Sequence, residues 1–190
     1  MELKDILSTY GIIGVISSYE MKEHNGKISE LPIRMKEKAM KMVGLDNQIL
    51  EKEYSDLSVS EKFKIDLATK LDNEIIVVGN LSKNLIGKDM NFIKKLLIKL
   101  NKNYNKKIVV IDNNINSFMN LVKHIVVIKD KKVIFESNNF FDKELYNYIS
   151  KPAIVDFIEY VNKDKRVLNE TTDIYELIKD IYRVVSWDIC

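Results

Sequence analysis

The chain has 190 residues, enough for one domain or for one domain with a small appendage. Hydrophobic residues make up 46% and charged residues 31%, the balance of a globular protein with a real core, and a net charge of +2 is too mild to argue for a nucleic-acid partner. No apolar run approaches the roughly 18 residues a bilayer span needs, and Met1-Glu2-Leu3-Lys4-Asp5 lacks a signal-peptide apolar region, so any membrane connection is expected to run through a partner. One cysteine, Cys190, excludes an internal disulfide framework and suits a reducing cytoplasm.

From the amino terminus, Gly11 to Tyr19 reads as either a strand or a glycine-softened helix, and helix is the reading adopted. Met35 to Val43 carries Met35, Ala39, Met40 and Val43 on one side and meets Gly44, a natural helix stop. Ser58 and Glu61 have capping-box spacing and open a helix through Phe63, Ile65, Leu67, Ala68 and Leu71. Ile75 to Val78 is a continuous β-branched run of the kind found in strands covered on both faces. The same signal recurs at Ile108 to Ile111 and at Ile125 to Ile128. Between the first two lies a helical stripe, Phe92, Ile93, Leu96, Leu97 and Leu100, long enough for a parallel crossover. Lys94, Lys95 and Lys99 alternate with that stripe and read as its solvated face. A turn at Lys129-Asp130-Lys131-Lys132 leads into Val133-Ile134-Phe135, a hairpin closing the sheet edge. Ile154, Phe157, Ile158 and Val161 follow helical spacing behind Pro152. Asp173 and Glu176 open a last helix through Ile174, Leu177, Ile178 and Ile181. The expected organisation is a helical unit at 1–71, an α/β core at 72–141 and a helical appendage at 142–190.

Leu57-Ser58-Val59-Ser60-Glu61-Lys62, followed by a helix and by Leu71 to Val78, resembles the stretch from the signature motif to the Walker B strand of ABC-transporter ATPases. Leu85 is similar to the leucine of the family's D-loop. Ile108 to Asn114 resembles the strand leading to the switch histidine, and Val43-Gly44-Leu45 the end of a helix in the helical subdomain. Lys151-Pro152-Ala153-Ile154-Val155 and Thr171 to Leu177 resemble the C-terminal extension of ATPases in energy-coupling factor importers, bacterial transporters of vitamins and metal ions. The resemblance implies an α/β fold, a reduced RecA-like ABC-ATPase core with a mostly parallel sheet, a partial helical subdomain and a C-terminal helical appendage.

It also implies lost chemistry, because the Gly-rich phosphate loop and its lysine are missing and the chain reads as starting too late to include them. The magnesium-holding aspartate is matched by Gly79, the water-polarising glutamate by Asn80, the D-loop aspartate by Ile86 and the switch histidine by Asn113. An amide is no general base at neutral pH. No catalysis in cis, no metal and no cofactor of its own are therefore expected. What stays open is an ATP shared with a partner and contacted by Ser58 and Ser60, against the plainer reading of Ser58 as a helix cap. The strand that precedes the phosphate loop normally lies between those matching 108–111 and 125–128. Direct pairing of the two or filling by the Gly11–Ile16 segment is expected, with another chain as the alternative.

His24 and His124 receive no role, Lys106-Lys107 reads as a solvated turn, and Tyr146, Tyr148 and Tyr160 are either interface anchors or core. The expected function is an inactive ABC-type subunit of an energy-coupling factor importer, cytoplasmic and peripheral to the membrane. It would pair with an intact ATPase, or with itself, and dock on a transmembrane subunit. The alternatives are a soluble self-associating scaffold, a decaying paralogue, or an enzyme acting at Asp112, Asn113 and Asn114 at a strand end.

Overall fold

The computed structural model describes residues 3–130, 132–165 and 167–187. Lys131 of the expected turn and Cys190 lie outside them. Five strands form one sheet in the order β2-β3-β1-β4-β5. They are β1 (Ile12–Ile16), β2 (Ile75–Gly79), β3 (Lys107–Ile111), β4 (Ile125–Lys129) and β5 (Lys132–Ser137). The first four are parallel, and β5 folds back antiparallel on β4 with a bulge between Val127 and Ile128. The mostly parallel α/β core and the closing hairpin are thus as expected.

The segment read as a helix at Gly11 to Tyr19 is a strand, and a central one. β1 pairs with β3 on one side, Ile12 opposite Ile108, and with β4 on the other, Gly14 opposite Ile125. All five of its residues are buried. The slot that a core at 72–141 was expected to lack is therefore filled from within the chain, and residues 1–71 are not purely helical. Its side chains explain the outcome. Ile12 and Ile16 join the core on one face, while Ile13 and Val15 join a second cluster on the other. Four β-branched residues alternating between two apolar layers suit a pleat better than a helix. Gly14 sits in a tight place, since a Cβ there would lie 3.0 Å from the Phe118 ring.

The second cluster is closed by α1 (Leu3–Tyr10), whose Ile6 and Leu7 lie against Ile13, Val15, Val109 and Val126. The larger layer holds α2 (Lys36–Val43), α3 (Val59–Lys70), the short α4 (Leu81–Asn84) and α5 (Gly87–Tyr104). α2 ends as read, with Gly44 left-handed at φ 75° and the Leu45 N–H donating to Met40. α3 opens on the full capping box of Ser58 and Glu61. The appendage consists of α6 (Ala153–Val161) and α7 (Ile174–Trp187), joined by a small cluster of Ile158, Leu168 and Leu177. Asp173 accepts the Tyr175 N–H at 2.8 Å, as its capping position implied. No helix among the described residues is long and apolar enough to cross a membrane.

Gly14→Val puts a branched side chain against Phe118 at the middle of the sheet. Overpacking of this kind costs about 1–3 kcal/mol, and urea unfolding of the variant is expected to show a loss in that range without a change of m-value.

Candidate functional site

Ligands of open parallel sheets gather at the carboxyl ends of the strands. Here that edge brings together the chain after β1, Gly79 at the end of β2 with Asn80 after it, and the Asp112-Asn113-Asn114 run after β3. The Asn80 N–H donates to the Ile111 carbonyl at 2.9 Å and the Asp112 N–H to Val15 at 3.1 Å, which ties the three ends to one another.

Tyr19 lies over the end of β2. A Cβ built on Gly79 would lie 2.2 Å from Tyr19 Cγ, so no side chain fits at residue 79 while Tyr19 stays in place. The Tyr19 carbonyl accepts a hydrogen bond from Asn80 Nδ2 at 2.7 Å, and its hydroxyl accepts one from Lys70 Nζ at 2.9 Å. Lys70 is pinned in turn: it forms a 2.5 Å ion pair with Asp66 one turn earlier on α3 and donates to the Val77 carbonyl at 3.0 Å. The ammonium also lies 5.6 Å from the centre of the Tyr19 ring.

A cluster of buried polar groups that sequence reasoning did not find includes His24, Tyr54 and the same Asp66. His24 stacks edge-on against Tyr54, ring centres 5.2 Å apart. Three buried atoms here, His24 Nε2, Tyr54 Oη and Asp66 Oδ1, have no hydrogen-bond partner among the described residues. Burial holds the His24 imidazolium below its ordinary range, Lys22 and Lys70 push the same way, and Asp66 partly opposes them. Burial, with the Asp66 and Glu23 charges, pushes the Tyr54 hydroxyl up. The helical spacing of Asp66 and Lys70 was visible in the sequence, but nothing there linked them to residues 19, 24 and 54.

Asp112 is consumed by structure. Its carboxylate accepts from the Ser117 hydroxyl at 2.6 Å, the Ser82 hydroxyl at 3.1 Å, the Ser82 N–H at 3.2 Å and the Asn114 N–H at 2.9 Å. A carboxylate so fully engaged ties α4 to the turn after β3 and has little left to offer a substrate. Lys94, read as part of a solvated face, instead inserts toward this turn and donates to the Asn116 and Met119 carbonyls at 2.8 and 2.9 Å. Burial brings it down to about 8, with the Asp112 charge pulling upward.

The remaining sequence candidates lie apart. Ile86 is 83% exposed at the start of α5, and Asn113 is exposed. Ser58 and Ser60 sit at the opposite end of α3 from Lys70, roughly 16 Å along the helix at 1.5 Å per residue. Ser58 Oγ donates to Glu61 at 2.7 Å and Ser60 Oγ to Asp89 at 2.6 Å, and Lys64 forms a 2.7 Å ion pair with the same aspartate. These hydrogen bonds hold the Glu61 and Asp89 carboxyls below the usual carboxylate range. His124 stacks on Tyr10 at 4.1 Å and reaches Glu136 at 3.1 Å, a packing arrangement. Tyr146 donates to the Phe140 carbonyl, Tyr148 lies against Phe135, and Tyr160 is exposed.

Comparison with solved structures places the architecture. The chain superposes on cbiO1 from Clostridium perfringens, part of the ABC transporter complex cbiONQ, with TM-score 0.50 and 18% identity, covering 86% of this chain and 68% of that one. A putative metal-chelate type ABC transporter in an inward-facing conformation matches with TM-score 0.52 and 14% identity over 72% of this chain and 63% of that one. The fold is thus a reduced RecA-like ABC-ATPase fold. In sequence the chain is similar to the energy-coupling factor transporter ATP-binding protein EcfA2 of Spiroplasma kunkelii, 21% identical over 145 residues. That match covers 69% of this chain and 48% of the relative, so the chain spans about half its length. No protein-family model matches the sequence.

A magnesium ion held at the end of β2 does not fit the residues there. Gly79 offers no ligand, the Tyr19 ring fills the space its side chain would use, and the Asn80 amide is spent on the Tyr19 carbonyl. Among the described residues no three of His, Cys, Asp or Glu are grouped to hold a metal.

Gly79→Asp is expected to destabilise the protein by about 1–3 kcal/mol through overpacking. Adding Tyr19→Ala should recover part of that loss in urea melts, a coupling that independent sites would not show. His24 supplies a pH signature. Its folded pKa lies below the unfolded value of 6.5, so the unfolded chain takes up the proton first. The stability due to neutral His24 is present above that value and is lost as pH falls through it toward the folded pKa. Between about pH 7.5 and 5.5 the wild type should lose more stability than His24→Gln, read as the shift of the urea midpoint.

Proposed function

We propose that this chain is a catalytically silent ABC-ATPase-like subunit, a member of the ABC ATPases of the energy-coupling factor type. In this reading it pairs with an intact ATPase and sits at the membrane through a transmembrane subunit. The observation that carries the proposal is Tyr19 filling the space beside Gly79 at the end of β2, backed by Lys70 and Asn80. Substituting a metal ligand by glycine removes chemistry, and packing a tyrosine into the vacated volume then keeps the sheet edge closed. Preservation of the sheet, the α3 cap and the appendage beside that replacement points to a retained structural role. The similarity to an energy-coupling factor ATP-binding protein and to a subunit of a cbiONQ complex supports the choice of importer class.

In such a role Ser58 and Ser60 are the residues positioned to meet a nucleotide held by the partner ATPase. Val59 stands between them, 56% exposed, where the family has glycine, so close backbone approach is obstructed. The chain then contributes shape and contact area to the pair and at most a weak hydroxyl contact to the nucleotide.

A second reading is a self-associating scaffold, favoured by the outer face of α7. Ile174, Tyr175, Ile178, Tyr182 and Val185 are all at least 42% exposed there, at helical spacing. Purification of a tagged chain from detergent-solubilised membranes, with and without ATP, separates the two. Co-purification of an intact ABC ATPase and a membrane protein is the expected outcome. A homodimer free of both would establish the scaffold. Purified alone, the chain is expected to show no magnesium-dependent ATP turnover above a buffer blank and no melting shift at millimolar nucleotide.

A further inference from the structure

On the helical face of the core, α2 and α5 diverge to form a groove of about 520 Å³. Its floor is apolar. Met42 comes from α2, and Phe92, Leu96 and Tyr104 come from α5. Its walls are basic, with Lys38 and Lys41 on the α2 side and Lys95 and Lys99 on the α5 side, and no acidic residue lines it. None of these four ammonium groups is paired with a carboxylate among the described residues, whereas Lys52, Lys64, Lys70, Lys151 and Lys179 elsewhere are. The Phe92 ring is seated against Gly44, where a Cβ would approach to 2.9 Å. Phe92 and Tyr104 nevertheless remain 41% and 52% exposed.

We propose that this groove docks an acidic amphipathic helix of a partner protein, its apolar stripe on Met42, Phe92, Leu96 and Tyr104 and its flanking carboxylates against the two lysine pairs. The dimensions suit such an occupant. Phe92 to Tyr104 spans about 18 Å of helix, or roughly three turns. Lysines on both walls match carboxylates on both flanks of a helix. A single fatty-acid headgroup carries one negative charge against four lysines, which a helix with carboxylates on both flanks matches better. The inference rests on the groove alone and stands whether or not the chain pairs with an ATPase.

A fluorescein-labelled synthetic 14-residue helix with a leucine stripe flanked by glutamates is the probe, read by anisotropy against the full chain. Saturable binding that weakens with added salt, and about tenfold or more in Lys95→Glu/Lys99→Glu, is expected. Lys163→Glu/Lys165→Glu, two exposed lysines beyond α6, makes the same change in net charge and should leave binding intact. Circular dichroism checks that both variants are folded. Absence of binding, equal binding of a leucine–lysine helix, or indifference to Lys95→Glu/Lys99→Glu would each overturn the proposal. So would flotation with phosphatidylglycerol vesicles that the probe does not compete away, or a homodimer broken by the same double substitution, because the groove's occupant would then be lipid or a second copy.

Discussion

A parallel sheet tolerates no vacancy in its middle, and the rest of this molecule follows from how that vacancy is filled. β3 and β4 each present one row of N–H and C=O groups to the space between them. Left unpaired and buried, such groups cost about 1–3 kcal/mol each, more in total than a small domain has to spare. β1 satisfies both rows at once, and its Ile12, Ile13, Val15 and Ile16 supply apolar side chains to both faces. Because β1 runs parallel to its neighbours, its carboxyl end falls beside the ends of β2 and β3. The chain leaving β1 is thereby delivered to the edge where a ligand would otherwise sit.

Tyr19 is the consequence. Three residues beyond the strand, it reaches Gly79, and the two positions form one packing unit in which a side chain at 79 and the ring at 19 exclude each other. The polar groups around the ring are arranged to hold it. Lys70 meets its hydroxyl and Asn80 its carbonyl, while the half-buried lysine pairs with the buried Asp66. A partly buried ion pair of this kind contributes modestly to net stability but is costly to break by removing the lysine from the buried aspartate, so it favours one position for the ring. The same helix that caps itself at Ser58 thus ends in the residues that lock the sheet edge.

Much of this architecture was legible. The runs at 75–78, 108–111 and 125–128 are continuous β-branched stretches with helical connections, and both signals are local. Gly44, Ser58 with Glu61, and Asp173 announce helix ends through hydrogen bonds spanning only a few residues, and all three form as read. β1 was not legible in the same way. Its glycine and its flanking Gly11 weaken a strand signal, and what makes it a strand is a pair of partners roughly a hundred residues away. Lys94 failed for a related reason: helical spacing placed it on the polar face, but the turn carrying the Asn116 and Met119 carbonyls folds over that face.

The sequence by itself determined the periodicities, the caps and the absence of a carboxylate or imidazole at Gly79, Asn80, Ile86 and Asn113, since these depend on side-chain identity and on neighbours within a helical turn. It also placed Ser58 correctly as a helix cap. Only the tertiary structure decided that the central slot is filled from within the chain, that Tyr19 closes the edge, that Asp112 is already saturated, and that four lysines converge on one apolar groove. Each of these joins residues distant along the chain. Such contacts arise when backbone pairing and apolar burial are satisfied together across the whole fold, and no short window of sequence carries that condition.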